Sequence, residues 1–303
     1  MDLFIIGNGF DLGHGLPTGY WNFRSYLEEH QGDFLRDFEE KYYLGGDWLQ
    51  TYLWNDLECN LANIDEYVLI EQMLQNTDLG LEGGNIGIED TLNHYFGGEF
   101  KYIEKLTIYL KEWIEVVNQE LAVINRRTSL INENHQDIFI NFNYTTTLED
   151  VYNISKSNVL HIHGIVDSDE ELVLGHSNSS RIDYFKKNYT DYQNIFDEQR
   201  APIYKVLTDY CSKTYKDVNN YIEQLFLMNF DAVERVIIIG HSLGDVDLPY
   251  FKKVKERVNE NTEWHVYYYR ENEIENFRDK LNKIGIIEQY IEFIQCDTFY
   301  NLP

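Results

Sequence analysis

The chain has 303 residues, and with 43% hydrophobic and 15% aromatic residues it can build a substantial core. Its formal net charge of −27 is spread along the sequence, which excludes nucleic acid as a partner because no basic stripe is present to neutralise phosphates. The three cysteines lie far apart, which excludes a cysteine zinc cluster, and the absence of a basic leader or a long apolar run predicts a cytoplasmic protein with no membrane contact.

Short, apolar and mostly β-branched runs recur along the chain, as is typical of buried strands. These runs are Leu3–Ile6, Asp137–Asn141, Val159–Ile162, Leu172–Leu174, Arg235–Ile239, Trp264–Tyr269 and Ile291–Ile294. After residue 135 they alternate with helical patterns, which predicts crossover units. The helical patterns cover residues 146–155, 200–230, 246–260 and 271–284. The sequence therefore predicts an α/β fold with a Rossmann-like, mainly parallel sheet.

The first two predicted strands are separated by a long stretch with almost no strand signal. Apolar residues in this stretch recur at helical spacing, for example between Tyr102 and Val117. We therefore predict a helical insertion over residues 18–130 and a nucleotide-binding core formed by residues 1–17 and 131–303. The apolar helical face around Tyr102–Val117 is either core or an interface for homo-oligomers.

The first predicted strand runs straight into a glycine-rich turn, with glycines at positions 7, 9 and 13. Glycines at the carboxyl end of a strand let a pyrophosphate approach the backbone, and the following helix presents free N–H groups to that anion. This start predicts a nucleotide pocket. The dehydrogenase fingerprint G-x-G-x-x-G needs a glycine where Leu12 stands, so a hydride-transfer enzyme is disfavoured. The alternative is a turn whose glycines only let strand and helix pack.

A second polar cluster, Asn141–Thr147, follows the second predicted strand. Its amides and hydroxyls suit the recognition of a ribose. The threonines have an alternative explanation, because Thr146 with Glu149 fits the helix capping box T-x-x-E. Capping does not explain Asn143, which we therefore retain as a candidate site residue.

The third cluster is His161-Ile162-His163-Gly164, at the end of the third predicted strand. Strand alternation places both histidines on one face, and one of them should reach the carboxyl edge of the sheet. A histidine there can act as a general base near neutral pH. Zinc binding by the pair and simple burial are the alternatives. Because no carboxylate or cysteine stands at ligand spacing nearby, we expect no metal.

The fourth cluster, Gly240–Asp247, matches the nucleophile elbow G-x-S-x-G of serine hydrolases at Ser242. That class places a histidine after the acid, and the only histidine after Ser242 is His265, which lies inside a predicted strand. A serine hydrolase is therefore the weaker alternative. Asp247 can be explained as a helix N-cap, with Pro249 in the first turn.

In this order, the segments 7–18, 141–145, 161–164 and 240–247 resemble the AbiH family of bacterial phage abortive-infection proteins. The same order is similar, more distantly, to the NAD pocket of sirtuins. The resemblance implies a sirtuin-like fold with an NAD site on these segments. The cofactor-binding residues that it implies are Gly7, Asn8, Gly9, Asp11, Pro17, Phe23, Arg24, Gly240, Ser242 and Asp245.

The resemblance also assigns roles to these residues. Gly7 and Gly9 would face the pyrophosphate, Pro17 with Phe23 and Arg24 the nicotinamide side, and Gly240 with Ser242 the adenosine half. The two catalytic residues that the resemblance implies are Asn143, which would orient the ribose and a water, and His163, which would be the general base.

The function implied by the resemblance is defence against phage through hydrolysis of NAD at the nicotinamide–ribose bond, with NAD as the ligand and no metal. The zinc-binding cysteines of sirtuins are missing, so deacylation is in doubt. The alternative is a sensor that binds NAD or ADP-ribose without cleaving it and acts through a partner. A phage-derived trigger and homo-oligomerisation stay open, as do the roles of His161, His176 and Asp247.

Overall fold

A computed structural model of the chain describes residues 1–42, 46–67, 70, 101–133, 135–168 and 172–302. The chain forms two compact units. The first comprises Met1–Gly19, Lys111–Val173 and Asp217–Pro303, and the second comprises Tyr20–Leu110 and Leu174–Lys216. These boundaries differ from those of the predicted domains, because residues 111–130 fall in the first unit and residues 174–216 in the second.

The first unit is built on a six-stranded sheet whose neighbouring strands are parallel. The strands are β1 (Asp2–Ile6), β2 (Ile138–Asn141), β3 (Val159–His161), β4 (Arg235–Ile239), β5 (Glu263–Tyr268) and β6 (Ile291–Gln295). Their order across the sheet is β3-β2-β1-β4-β5-β6. The predicted α/β class with a mainly parallel sheet is confirmed.

Helices connect these strands and build the second unit. In chain order they are α1 (Asn8–Gly13), α2 (Tyr20–His30), α3 (Gly32–Glu40), α4 (Gly46–Trp48), α5 (Leu57–Asn60), α6 (Lys101–Glu120), α7 (Thr147–Tyr152), α8 (Ser179–Asn194), α9 (Arg200–Lys213), α10 (Asn219–Ile222), α11 (Leu248–Arg257) and α12 (Glu273–Lys283). Leu49–Leu53 form a π-helical turn. Short 3-10 turns cover Leu121–Val123, Lys156–Asn158, Glu223–Leu227, Glu288–Tyr290 and Cys296–Thr298.

The four strands that precede the polar clusters end level with one another. Ile6 is the register partner of Asn141 and of Ile239, and Asn141 is the register partner of His161. The strand order reverses between β1 and β4, and ligands of open α/β sheets bind at such a switch point, beyond the carboxyl ends of the strands. The fold therefore gathers the four segments that follow β1, β2, β3 and β4 at one edge of the sheet.

The central strands are buried, which explains their continuous apolar sequences. Residues 3–6 of β1 and 236–239 of β4 are no more than 4% exposed. Phe251 and Val254 of α11 belong to the same core cluster. Full burial of one such side chain contributes about 1.5–3 kcal/mol, so this core stabilises the strand ends on which the polar segments stand.

The predicted strand Leu172–Leu174 is wrong, because these residues are irregular. The Val173 N–H donates to His163 O at 2.9 Å. The Val173 carbonyl accepts a hydrogen bond from the Tyr144 hydroxyl, also at 2.9 Å. A side chain thus takes the carbonyl that a neighbouring strand would otherwise use, and the segment stays outside the sheet.

Two helical regions also differ from their predictions. The predicted helix over residues 200–230 is interrupted after α9, where the Asp217 side chain accepts the N–H of Asn219 at 3.1 Å and a new helix begins. Helix α8 was not predicted. Only Ile182 and Phe185 of its 16 residues are buried, so its sequence lacks a wide apolar stripe.

The predicted insertion contains α2 to α6, although its residues 43–45, 68, 69 and 71–100 lie outside the described residues. On α6, Leu106, Leu110, Trp113 and Val117 are no more than 5% exposed. These four residues are buried within the chain, as the core alternative predicts. Among the described helices, none is long and apolar enough to cross a membrane.

Candidate functional site

Gly7 and Gly9, which follow β1, pack directly against the backbone that follows β4. The Gly7 N–H donates to Ile239 O at 3.0 Å, and the Gly9 N–H donates to Gly240 O at 2.8 Å. A Cβ at Gly7 would lie 2.6 Å from Gly240 O, and one at Gly9 would lie 2.7 Å from Gly240 Cα. The close approach of the backbone segments after β1 and β4 therefore requires both glycines.

Gly240 is required for a second reason. Its φ is +69°, and a Cβ there would collide with the backbone N of Phe10. Leu243, three residues on, also has a left-handed φ of +53°. Since side chains rarely adopt this region, the loop after β4 is held in its shape by its surroundings.

Helix α1 starts at Asn8, directly after Gly7. The Asn8 amide is exposed and donates to Thr18 O at 3.0 Å. Pro17 is half-buried in the connection between α1 and Thr18. Asn8 therefore links the start of α1 to the segment that follows it.

Asp11 is buried on α1 and faces the loop after β2. Its carboxylate accepts hydrogen bonds from Thr145 Oγ1 at 2.7 Å and from Thr147 Oγ1 at 2.8 Å. Burial raises the pKa of Asp11 to about 6, while the hydrogen bonds from Thr145, Thr147 and Asn143 act to lower it. Asp11 therefore ties α1 to the β2 loop from the inside.

Thr146 is the N-cap residue of α7, but its side chain makes no cap hydrogen bond. Its hydroxyl donates instead to Asp150 Oδ2 at 2.5 Å. The predicted capping position is right and the predicted capping box with Glu149 is wrong. The reason is that Glu149 pairs with His161, at 2.9 Å between Oε1 and Nε2.

Asn143 follows β2 and lies beside the end of β1. Its Nδ2 donates to Gly7 O at 3.2 Å, and its backbone N–H donates to Asn141 Oδ1 at 3.0 Å. The residue is 6% exposed. Its amide is therefore oriented by the same turn that carries Gly7 and Gly9.

The two histidines of the third cluster have different neighbours. His161, the last residue of β3, contacts Glu149 and lies with Nδ1 3.3 Å from Asn143 O. His163 is 3% exposed, and its Nε2 lies 3.6 Å from Asp247 Oδ1. Only His163 therefore faces the segment that follows β4.

His241 and Asp247 are part of this arrangement, although neither was predicted as a site residue. Asp247 Oδ2 lies 3.5 Å from His241 Nε2, so the carboxylate stands between His241 and His163. The Phe142 ring contacts both histidines edge-on, with centroids 5.2 Å from His163 and 4.4 Å from His241. His163 follows β3 and Asp247 follows β4, and these strands are three strand spacings apart, about 14 Å. The contact between the two side chains therefore spans the ends of β2 and β1, which lie between them.

Ser242 and Asp245 are exposed in the loop after β4. The histidine that a hydrolase triad would require, His265, lies on β5 and is the register partner of Ile237, below the strand end. Its Nε2 contacts Glu263 at 3.5 Å and Glu292 at 3.4 Å. This placement disfavours a triad of Ser242 with His265.

Phe23 and Arg24 lie on α2 in the second unit and have partners there. Phe23 is buried edge-on against Trp54, with ring centroids 6.1 Å apart. Arg24 Nε donates to Glu39 Oε1 at 2.7 Å, and its Nη2 donates to Glu39 Oε2 at 3.1 Å. These contacts explain both side chains as parts of the second unit's core and surface, independently of any ligand.

His176 also lies in the second unit and is fully buried. Its Nδ1 accepts the N–H of Asn178 at 3.0 Å, and its Nε2 donates to Cys211 O at 3.0 Å. Burial lowers the pKa of His176 to about 4, so the ring is neutral at physiological pH. Its role is to hold the segment before α8 against α9.

No group of three or more histidine, cysteine or acidic side chains suited to a metal ion occurs among the described residues. The arrangement at the sheet edge therefore consists of a buried amide at Asn143 and a histidine at His163 with a carboxylate behind it. Such a pair can orient a water molecule and accept its proton.

The comparisons with known proteins identify the family. No curated protein and no solved structure is matched by the chain. A family model described as bacteriophage abortive infection AbiH matches residues 3–268, which is most of the chain. The resemblance of the four segments is thereby confirmed at the level of the family. The chain belongs to the AbiH family of bacteriophage abortive-infection proteins.

Proposed function

We propose that this AbiH protein acts in abortive infection by hydrolysing NAD at the nicotinamide–ribose bond. Membership of the family implies the role in abortive infection. One observation supports the chemistry: Asn143 and His163 follow neighbouring parallel strands at the same level, and His163 has the Asp247 carboxylate behind it. Asn143 and His163 thus lie at the carboxyl ends of the strands, where open α/β sheets bind ligands.

The strand order supports a Rossmann-like and sirtuin-like assignment of the sheet. The order β3-β2-β1-β4-β5-β6 is the one found in dinucleotide-binding doubly wound folds, where the nucleotide lies across the switch point. In this protein the switch point lies between β1 and β4. We place the pyrophosphate near Gly9, with the adenosine half over Gly240, Ser242 and Asp245.

The reaction needs a positioned ribose, stabilisation of an oxocarbenium-like centre, a water and a proton acceptor. Water attacks C1′ of the ribose as the C1′–N bond to nicotinamide breaks, and the bonding electrons leave with nicotinamide. Asn143 orients the ribose and the water, and His163 accepts the proton that the water loses. The products are nicotinamide, ADP-ribose and one proton.

A sensor that binds NAD or ADP-ribose without cleaving it is the second candidate. The observation in its favour is burial, since Asn143 is 6% and His163 3% exposed. In either case we propose that a phage-derived trigger controls the protein.

Release of nicotinamide from NAD by the purified full chain tests the proposal. The assay compares the wild type with Asn143→Ala and His163→Gln at several protein concentrations, and His30→Ala, an exposed histidine on α2, is the matched control. With an extract of phage-infected cells present as the source of the trigger, we expect release by the wild type and by the control. Both site variants should lose at least about 100-fold, because His163→Gln removes the general base and Asn143→Ala removes the group that orients the ribose and the water.

Two results would contradict the hydrolase. Release that is unchanged in His163→Gln would remove the proposed base. Tight binding of NAD by the wild type with no release, in the presence of an extract of phage-infected cells as well, would favour the sensor. Circular dichroism of each variant distinguishes loss of activity from loss of folding.

A further inference from the structure

The orientation of the Asp247 side chain differs from what its position predicts. Asp247 is the N-cap residue of α11, where an aspartate normally accepts a hydrogen bond from an N–H in the first turn. Within the described structure its side chain makes no such cap bond. Its two oxygens face His163 Nε2 at 3.6 Å and His241 Nε2 at 3.5 Å. The carboxylate is thus directed toward the histidines instead of the helix.

The backbone determines the tautomer of His241. The Leu243 N–H donates to His241 Nδ1 at 2.9 Å. A neutral imidazole that accepts at Nδ1 carries its proton on Nε2, which here faces the carboxylate. His241 is therefore oriented from both sides of its ring.

The surroundings shield these three side chains from solvent. The side chains of His163 and His241 are 4% and 5% exposed, and that of Asp247 is 16% exposed. The Phe142 ring contacts both imidazoles. Solvent and salt screen such partly buried charges far less than surface charges. The distances exceed those of direct hydrogen bonds, as is common at catalytic sites before substrate is bound.

We infer that Asp247 is a positioning residue that orients His163 and His241 with one shared carboxylate. It holds the proton of each neutral ring on Nε2. The lone pair of His163 is then on Nδ1, where the ring can accept a proton. The activity readout of this inference rests on the proposed hydrolysis of NAD, whereas its structural readout does not.

The substitution Asp247→Asn tests the inference because the amide has one acceptor and one donor. His241, fixed by Leu243, still donates from Nε2 and uses the amide oxygen. The amide NH₂ then faces His163 Nε2, which must become an acceptor and move its proton to Nδ1. We expect the ¹⁵N shifts of the His163 ring to change to the Nδ1–H tautomer while those of His241 stay unchanged.

The same variant should lose NAD cleavage by at least 100-fold in kcat with KM within about threefold, as expected when an orienting carboxylate is replaced and the base has the wrong tautomer. Glu260→Gln, which changes an exposed carboxylate that follows α11, is the matched control and should leave both readouts as in the wild type. Asp247→Ser keeps a good N-cap residue and removes the carboxylate. It should also disturb the His163 tautomer.

The outcomes separate the inference from the proposed function. Wild-type tautomers in folded Asp247→Asn would overturn the inference, and so would an Asp247→Ser variant that has unchanged histidine spectra and is more stable than the wild type. The expected change in the His163 tautomer, with no nicotinamide release by the wild type, would support the inference and contradict the hydrolase. If Asp247→Asn does not fold, Asp247→Ser is evaluated by the same criteria.

Discussion

The sequence Gly-His-Ser occurs once in each unit, at residues 175–177 and 240–242, and the two copies share a local hydrogen bond although only Gly240 has a left-handed φ. In each, the histidine Nδ1 accepts the backbone N–H two residues on, from Asn178 at 3.0 Å and from Leu243 at 2.9 Å. In each, a Cβ on the glycine would collide with backbone. The tripeptide therefore sets the glycine contact and the histidine tautomer in both places.

The two turns differ in the group that contacts Nε2 of the histidine. His176 Nε2 donates to the Cys211 carbonyl, whose capacity to accept a proton is negligible. His241 Nε2 faces the carboxylate of Asp247, which also faces His163. A buried histidine whose two nitrogens both bond to the backbone has a structural role, whereas His241 shares the Asp247 carboxylate with a second histidine, as the positioning inference requires. The tertiary partner, rather than the local sequence, decides the role.

The largest effect that tests this comparison comes from the glycines. Gly240→Ala places a side chain at φ +69° and against the backbone of Phe10, so we expect a loss of about 4 kcal/mol in the free energy of unfolding. Gly175→Ala meets Thr214 O at 2.5 Å without a left-handed φ, and we expect about 2 kcal/mol.

Denaturant unfolding of the wild type and both variants, monitored by two probes, gives these values. Gly285→Ala is the control, since Gly285 has φ +86° but an added Cβ would meet nothing within 4 Å. It isolates the cost of the left-handed backbone, about 1–2 kcal/mol. If Gly240→Ala costs no more than Gly285→Ala, the close packing of the β1 and β4 turns does not contribute to stability.

Much of the sheet could be predicted from the sequence because its strands are short, apolar and β-branched, as in residues 236–239. The level ends of β1, β2, β3 and β4 follow from parallel pairing, so the clustering of Asn143 and His163 at one edge could be expected as well. Helix α8 could not be predicted from the sequence, because it buries few apolar residues along its length.

Other features depend on contacts that no local pattern encodes. Asp247 fits an N-cap in sequence, and only the fold shows that its carboxylate faces His163 and His241 instead. The glycine spacing of the first turn also does not encode its tertiary partner, which is the backbone of Gly240 against Gly7 and Gly9. A repeated Gly-His-Ser becomes informative only when the partner of each ring is known.

A second effect, of about 2–3 kcal/mol in the free energy of unfolding, comes from two buried groups. Their pKa shifts give stability opposite dependences on pH. Burial raises the pKa of Asp11 in the first unit to about 6, above its usual 3.8, so its contribution to stability is present below pH 4 and is lost as pH rises through 6. Burial lowers the pKa of His176 in the second unit to about 4, so its contribution is present above pH 6.5 and is lost as pH falls toward 4.

Variants reveal the two contributions separately. The stability of Asp11→Asn relative to the wild type should rise between pH 4 and 6, and that of His176→Gln should fall over the same range, measured by denaturant unfolding at several pH values. Ser177→Ala, which removes no titratable group, should give a difference that does not depend on pH. Equal slopes for the two variants would contradict the opposite pKa shifts of Asp11 and His176.

The smallest effect separates the two serines of the repeated tripeptide. Ser177 is half-buried and Ser242 is exposed at the proposed nucleotide edge. Away from special contacts, removal of a surface hydroxyl changes stability by no more than about 0.5 kcal/mol, so both serine-to-alanine variants should unfold like the wild type. If Ser242 donates a hydrogen bond to the adenosine half of the ligand, Ser242→Ala should weaken ADP-ribose binding by about fivefold, equivalent to about 1 kcal/mol. Ser177→Ala should bind as the wild type does. Isothermal titration with ADP-ribose measures both affinities. Equal affinities would mean that the ligand does not contact Ser242 in the loop after β4.

A p-nitrophenyl ester assay on the same proteins tests the serine hydrolase alternative. Ester cleavage by the wild type that is lost only in Ser242→Ala would identify Ser242 as a nucleophile, and the sheet edge would then be a different kind of active site.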